Sequence, residues 1–184
     1  SEEFRRAFVV ALLCAMPPIW LGGAASAGRL REELIPSGAM AALIDLFPDG
    51  AVRGVVVTAA ASQHRREQLA EIGLKGEYAV LDELAGLLRS RGREDLVGHV
   101  SHVSLLSDSF GYDIRTLTPD GRSLQIEVKT SGLRAPYRIH LTRHEAEVAA
   151  SDDDWLLVVC TVQPGKDILV IGWCTWAELR DLVP

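Results

Sequence analysis

Hydrophobic and polar positions in the first third of the chain follow mainly helical spacing. A mainly apolar helix is predicted over residues 4–16, ending at two prolines, and a short helix is predicted over 38–47, before a Pro-Asp-Gly turn. The apolar run at 52–62 fits either a strand or a helix, because short apolar runs do not separate the two. A polar helix is predicted over 62–73, with the glycine at its end.

The pattern becomes more regular after residue 75. Apolar residues recur every three or four positions over 76–92, which predicts an amphipathic helix. A helix is also predicted over 143–151 and another over 175–183. The predicted strands cover 96–106, 112–118, 123–130, 137–142, 155–162 and 167–173. This order predicts an α/β fold, with a central mixed β-sheet flanked by helices. We place the domain boundary between a helical N-terminal segment, 1–72, and an α/β domain, 73–184.

Composition narrows the class of protein. The 184 residues are 48% hydrophobic and 24% charged, which is typical of a globular chain rather than a disordered one. The net charge of −6 argues against a protein that coats nucleic acid through its overall field. Three widely separated cysteines in apolar runs indicate reduced, buried thiols rather than a disulfide framework or a zinc site. We therefore expect a cytoplasmic protein.

Residues 4–28 imitate a secretory signal, with a basic start, an apolar stretch and a small-residue Ala-Ser-Ala. Against this interpretation, Glu2 and Glu3 precede the arginines, and two prolines interrupt the apolar run. The run before the prolines is also too short to span a bilayer. We predict a buried helix here and no membrane partner.

Charged residues stand in two neighbouring predicted strands joined by a Pro-Asp-Gly turn. Asp113 begins the first strand, and Glu127 and Lys129 lie in the second. Side chains in a strand alternate, so Glu127 and Lys129 share a face, and pairing around the turn brings Asp113 near Glu127. Two ionised carboxylates repel each other, so a site that keeps both charged favours a cation, and oxygen ligands suit Mg²⁺, for which Mn²⁺ should substitute. The alternative is a cross-strand salt bridge on a solvated face.

A third carboxylate precedes the hairpin, in the helix predicted over 76–92. At 100° per residue, Glu77 lies within about 40° of Leu81, Leu84 and Leu88 around the helix axis, so it points toward the buried side. It could complete a metal site. A carboxylate stabilised by the dipole at a helix N-terminus is the other interpretation, and both stay open.

Several motifs in order, "GEYAVLDEL", "GYDI", "DGRSLQIEVKTSG", "RIHLTRHEAEVA" and "WLLVVCTV", resemble the DUF3883 or NO VEIN C-terminal domain, over roughly residues 75–165. This family lies in the PD-(D/E)XK restriction-endonuclease-like superfamily. The resemblance implies a restriction-endonuclease-like core, Mg²⁺-dependent hydrolysis of phosphodiester bonds, and a frequent role in restriction and antiviral defence. Gly-Tyr stands before the aspartate instead of Pro, as is usual for this family.

The resemblance also implies roles for individual residues. Asp113 and Glu127 match the acids that hold the metal, with the Val128 carbonyl nearby. Lys129 matches the catalytic lysine, which acts on the attacking water, and Glu77 matches a helical acid that supports the metal.

Basic residues concentrate around these positions. Six basic and three acidic side chains give residues 111–144 a net charge of +3, which leaves −9 for the rest of the chain. A phosphate backbone requires positive charge of this kind. Arg134, Arg138 and Arg143 are the candidates for phosphate contacts, and the Thr130 hydroxyl is a candidate either for the same role or for a turn.

Together these observations predict a Mg²⁺-dependent DNA endonuclease that acts in restriction or antiviral defence. RNA is an alternative substrate for the same site. A rival of another class is a catalytically silent module that binds nucleic acid or protein inside a defence complex. Other defence subunits and a second copy of the chain remain open as partners.

Overall fold

The structure is a computed structural model that describes residues 1–26, 29–30, 35–36, 38–132, 139–165 and 167–182. The chain divides into two compact units, Ser1–Ala70 and Glu71–Pro184. Within the described ranges, no helix combines the length and the apolar character needed to cross a lipid bilayer.

The first unit is built mainly from helices. Its elements are α1 (Glu2–Ala15), α2 (Ile19–Ala24), an antiparallel pair of two-residue strands β1 (Ala25–Ser26) and β2 (Arg29–Leu30), α3 (Ala39–Leu46), and the first part of α4 (Gly50–Ser90). The Ser1 hydroxyl caps α1 by accepting a hydrogen bond from the Phe4 amide. Leu21, Val56 and Ala60 are fully buried in the core of this unit. The helices predicted over 4–16 and 38–47 are confirmed. The prediction that the first of them is buried was wrong, because Phe4 and Phe8 of α1 are 70% and 59% exposed.

Helix α4 is longer than predicted. Its 41 residues join three predicted segments, so the ambiguous run at 52–62 is helical. The prediction that Gly73 ends a helix was wrong, since this residue lies inside α4. A glycine inside a helix costs about 1 kcal/mol relative to alanine, which the continuous helical run on both sides outweighs.

The second unit contains a five-stranded mixed sheet in the described part of the chain. Its strands are β3 (Ser101–His102), β4 (Ile114–Leu117), β5 (Ser123–Ser131), β6 (Trp155–Val162) and β7 (Ile168–Thr175), in the order β3-β4-β5-β6-β7. Its helices are α5 (Glu94–Val97), α6 (Arg143–Ser151), α7 (Trp176–Leu179) and the second part of α4, with 3₁₀ turns at Asp108–Phe110 and Arg180–Leu182. Strands β5 and β6 are parallel, and α6 lies in the crossover between them. The predicted α/β fold with a flanked mixed sheet is confirmed.

Two of the predicted strands were wrong in extent. The run at 96–106 is a strand only in β3, because the amides of Val103 and Ser104 both donate to the Asp113 carbonyl, which ends the regular ladder. The run at 137–142 shows no strand over its described part, 139–142, because Thr142 there begins α6 as its N-cap. Residues 137 and 138 lie outside the described residues.

Strands β4 and β5 form the predicted hairpin. The turn closes with a hydrogen bond from the Gly121 amide to the Thr118 carbonyl, and Gly121 has a φ of 88°, which glycine adopts without strain. Ile114 pairs with Ile126, so the register continues to place Asp113 opposite Glu127. Directly opposed residues in an antiparallel pair project from the same face of the sheet. The hairpin thus brings the two carboxylates to one face.

Candidate functional site

The two faces of β5 have different surroundings. Ile126 and Val128 pack with Val80 of α4 in one apolar cluster. The other face carries Glu127 and Lys129, and its partners across β6 are Leu157 and Val159. A cleft of about 410 Å³ opens on that second face. It is lined by Ser104, Ser107, Gly111, Tyr112, Asp113, Glu127, Thr142, His144 and Glu145.

Asp113 is fixed at the start of β4 by hydrogen bonds from both its backbone and its side chain. Its amide donates to the Ile126 carbonyl at 2.9 Å, and its Oδ2 accepts from the Val128 amide at 2.8 Å. Burial raises the pKa of Asp113 to about 6, and the nearby carboxylates of Glu77 and Glu145 act in the same direction. The Val128 amide and the Lys129 ammonium only partly oppose this increase.

Glu127 is the most deeply buried carboxylate of the cleft, with 3% of the residue exposed. Burial, followed by repulsion from Asp113, raises its pKa to about 8, even though Lys129 favours the charged form. Burial and Asp113 therefore disfavour the charged form of Glu127, although the Lys129 ammonium lies 2.6 Å away.

Lys129 lies between two carboxylates. Its Nζ is 2.6 Å from Glu127 Oε1 and 2.9 Å from Glu145 Oε2. Burial alone lowers the pKa of this lysine, but the two carboxylates raise it above its ordinary value. Lys129 is therefore an ammonium at neutral pH, bound to two carboxylates that line the cleft.

Glu145 belongs to a capping box at the start of α6. The Thr142 hydroxyl accepts a hydrogen bond from the Glu145 amide, and Glu145 Oε2 accepts one from the Thr142 amide at 2.9 Å. The same oxygen contacts Lys129. Glu145 therefore both caps α6 and lines the cleft.

Glu77 belongs to the second unit, and its side chain points toward the interior of that unit, as the helical pattern predicts. Its Oε2 accepts a hydrogen bond from the Ser104 hydroxyl at 2.8 Å and contacts His102 Nε2. The edge of the Tyr78 ring packs on His102. Glu77 therefore acts on Asp113 through its charge, while one of its oxygens is already bonded. The contacts of His102 and Ser104 with Glu77 were not predicted. The only sequence signal for them is that the two residues lie two positions apart in a predicted strand and so share a face.

Thr130 projects from the face of β5 opposite to Glu127, and it lines a second, smaller pocket that Lys129 also borders, so its role as a phosphate contact stays a prediction. The parallel partner of Thr130 is Cys160, in the apolar cluster, and Thr130 Oγ1 is buried with no hydrogen-bond partner among the described residues. The hydroxyl faces Gly76 of α4, where an added Cβ would lie 1.8 Å from it. Residues 127 and 130 differ by an odd number, so they project from opposite faces of the strand.

The other predicted residues occupy different settings. Arg143 has a 92% exposed side chain that pairs with Glu147 one turn along α6. The amide of Val128 holds Asp113 and its side chain packs in the core, so a role for its carbonyl stays a prediction. Arg134 and Arg138 lie outside the described residues.

Gly111, which precedes Tyr112 and Asp113, must be a glycine for two reasons. Its φ is 70°, and a Cβ built on it would lie 2.6 Å from Val148 Cγ2 of α6. Only glycine tolerates both the left-handed backbone and this close approach. The residue therefore lets α6 pack against the loop that delivers Asp113, which closes one side of the cleft.

The donor set suits a hard divalent cation. Two carboxylates on adjacent strands have raised pKa values, and a cation beside them would favour their charged forms. Across the described ranges, no group of three or more His, Cys, Asp or Glu side chains is arranged to hold a metal. The fit is therefore to an open site with few protein ligands, which is how Mg²⁺ is commonly bound, through one or two carboxylates and several waters.

Comparison with known proteins assigns the second unit. Searches of curated proteins and of solved structures return no match for this chain. The profile of the family described as "Protein NO VEIN, C-terminal" matches residues 76–171, slightly more than half of the chain. The matched segment contains Glu77, Asp113, Glu127, Lys129 and Glu145. The chain belongs to the NO VEIN C-terminal family.

Proposed function

We propose that the second unit is a Mg²⁺-dependent DNA endonuclease with a restriction-endonuclease-like core of the PD-(D/E)XK type. One observation carries this proposal. Glu127 is 3% exposed, lies opposite Asp113 in the hairpin register, and has an ammonium 2.6 Å away at a cleft. A protein that needed only a stable strand would have little reason to bury two neighbouring carboxylates, because each burial is costly.

Each residue has a role that follows from its surroundings. Asp113 and Glu127 hold the cation, and the Val128 amide keeps the Asp113 carboxylate oriented. A bound Mg²⁺ would supply Lewis-acid polarisation of the phosphate and a more acidic water. Lys129 donates hydrogen bonds to the attacking water and stabilises negative charge on the phosphodiester. It does not serve as the base in its ion-paired state, since its pKa is raised.

DNA as the substrate and a role in restriction or antiviral defence are parts of the same proposal. The net charge of +3 over residues 111–144, in a chain with a net charge of −6, supports a phosphate-rich ligand for this segment of the sequence. The family resemblance supports the defence role.

The test is cleavage by the full chain of supercoiled plasmid, single-stranded DNA and RNA in Mg²⁺ or Mn²⁺. We expect plasmid cleavage that EDTA abolishes and that Lys129→Ala reduces by about 10²–10⁴-fold. Glu178→Gln, which alters a carboxylate in a capping box outside the cleft lining, should cleave at the wild-type rate. Cleavage of RNA alone would change the substrate class. No cleavage of any substrate, or cleavage by Lys129→Ala at the wild-type rate, would exclude the catalytic proposal.

A catalytically silent binding module is the second candidate. The observation that favours it is the ion-pair network itself, since Lys129 already satisfies Glu127 and Glu145 within the chain. Such a module should bind DNA or a protein partner with an affinity that EDTA leaves unchanged. The nuclease should bind substrate more tightly when Ca²⁺ replaces Mg²⁺ than in EDTA.

A further inference from the structure

We propose that Glu145 is a positioning residue for Lys129, the fixed partner that keeps the ammonium in the cleft when Glu127 exchanges Lys129 for a divalent cation. This inference rests on the proposed function and adds a role that the two-carboxylate site does not itself require. The observation behind it is that Lys129 contacts both Glu127 and Glu145.

The first step of the argument is the bridging position of Lys129. Its Nζ contacts Glu127 Oε1 at 2.6 Å and Glu145 Oε2 at 2.9 Å. A Glu127 carboxylate that holds a divalent cation can no longer give its full charge to Lys129, and the cation itself repels the ammonium. Without a second anion, Lys129 would leave the cleft or compete for Glu127. Glu145 supplies that anion.

The second step is the rigidity of Glu145. Its carboxylate accepts the Thr142 amide hydrogen bond of the capping box, so its position is set by the start of α6 rather than by Lys129. Glu127, in contrast, has Lys129 as its hydrogen-bonding or ion-pairing partner among the side chains that the structure describes. Glu127 is therefore free to change partners, whereas Glu145 is held in place.

The chain carries a second capping box of the same type, which serves as a matched control. Thr175 and Glu178 at the start of α7 make the same reciprocal bonds as Thr142 and Glu145. No lysine contact accompanies Glu178 in the described part of the chain. Glutamine also functions at this position of a capping box, so Glu145→Gln and Glu178→Gln both preserve the helix start. Only the first removes an ionic partner of Lys129.

The experiment measures Mn²⁺ affinity of the full chain by calorimetry, without any nuclease substrate. We expect Glu145→Gln to weaken Mn²⁺ binding by about tenfold, the usual cost of losing a residue that supports a metal ligand, and Glu178→Gln to leave binding unchanged. Glu145→Asp keeps the charge but shortens the side chain, and we expect it to weaken binding nearly as much as glutamine does. Circular dichroism and thermal unfolding should show that all three variants are folded.

A double-mutant cycle separates positioning from a direct effect of charge on the cation. If Glu145 acts through Lys129, Glu145→Gln should change Mn²⁺ affinity by less than about twofold in a Lys129→Met background. An equal loss in both backgrounds, or no loss in the wild-type background, would overturn the inference and leave the nuclease proposal intact. Absence of Mn²⁺ binding by the wild-type chain would overturn both.

Discussion

The two faces of strand β5 bury side chains of opposite character, apolar on one face and charged on the other. Ile126 and Val128 lie in an apolar cluster where every contact favours burial. Glu127, between them in sequence, is just as inaccessible at 3% exposed, but it carries a group that burial disfavours. The apolar face of the strand therefore stabilises the fold, whereas the charged face lowers stability because it buries ionisable groups.

The difference shows where function can be separated from folding. Substitutions on the apolar face should lower stability, because they disturb close packing. Substitutions on the charged face should remove metal binding and leave stability unchanged or increase it, because the raised pKa values of Asp113 and Glu127 mark unfavourable burial of charge. The predictions that follow test this separation.

The largest effect is expected from Glu127→Gln on the charged face. The amide keeps the size of the side chain but loses the charge that would hold a cation. We expect Mg²⁺-dependent plasmid cleavage to fall by about a thousandfold or more, with the fold retained. Initial cleavage rates over a range of Mg²⁺ concentrations measure the effect. A rate within tenfold of wild type would show that Glu127 is not a metal ligand.

On the apolar face, Gly76→Ala should destabilise the protein. The new Cβ would lie 1.8 Å from Thr130 Oγ1 and 3.0 Å from Thr130 Cβ, so α4 or β5 must shift. We expect a loss of about 1–3 kcal/mol in the free energy of unfolding, measured with urea. Gly86→Ala is the control in the same helix, because in the described part of the chain no atom outside the local helix backbone and the neighbouring residues lies within 4 Å of its new Cβ. It should stabilise the protein by about 0.5–1 kcal/mol. Equal effects at the two glycines would contradict this account of packing.

The pH dependence of stability should report the buried acids. The pKa of Glu127 is raised to about 8, chiefly by burial and then by Asp113, and that of Asp113 to about 6, so the folded chain holds these protons more tightly than the unfolded chain. The stability that these two protons give the metal-free protein should therefore be complete below about pH 4 and be lost progressively as the pH rises to about 8. At pH 8.5, Glu127→Gln should have a Tm about 5 °C above wild type.

Thermal unfolding in EDTA at pH 5, 6.5 and 8.5 measures this profile. Added Mn²⁺ should raise the Tm of the wild type at pH 8.5, and the increase should be absent in Asp113→Asn. Parallel profiles for the wild type and Glu127→Gln would mean that Glu127 is not the group that titrates.

Much of this arrangement could be read from local sequence. Strand alternation and the Pro-Asp-Gly turn were enough to place Asp113, Glu127 and Lys129 on one face, because period and register are local properties. The same alternation places Thr130, an odd number of positions from Glu127, on the other face of β5.

Contacts that depend on long-range packing could not be predicted from the sequence. The contact of Lys129 with Glu145 depends on how α6 docks after a crossover, and nothing local reports it. The Thr-x-x-Glu pattern at the start of α6 indicates only a capping box. Likewise, the bonds from His102 and Ser104 to Glu77 join residues about 25 positions apart, through the packing of a short strand against α4.

The smallest effect is expected at Arg143, on the exposed start of α6. Its side chain is 92% exposed and pairs with Glu147, so Arg143→Ala should change the free energy of unfolding by less than about 0.5 kcal/mol. If Arg143 contacts phosphate, the variant should bind DNA severalfold more weakly and reduce the slope of log affinity against log salt by about 1. Arg180→Ala, at another exposed arginine paired with a neighbouring acid, should leave the slope unchanged. Fluorescence anisotropy at several salt concentrations measures both variants, and identical slopes would remove Arg143 from the nucleic-acid interface.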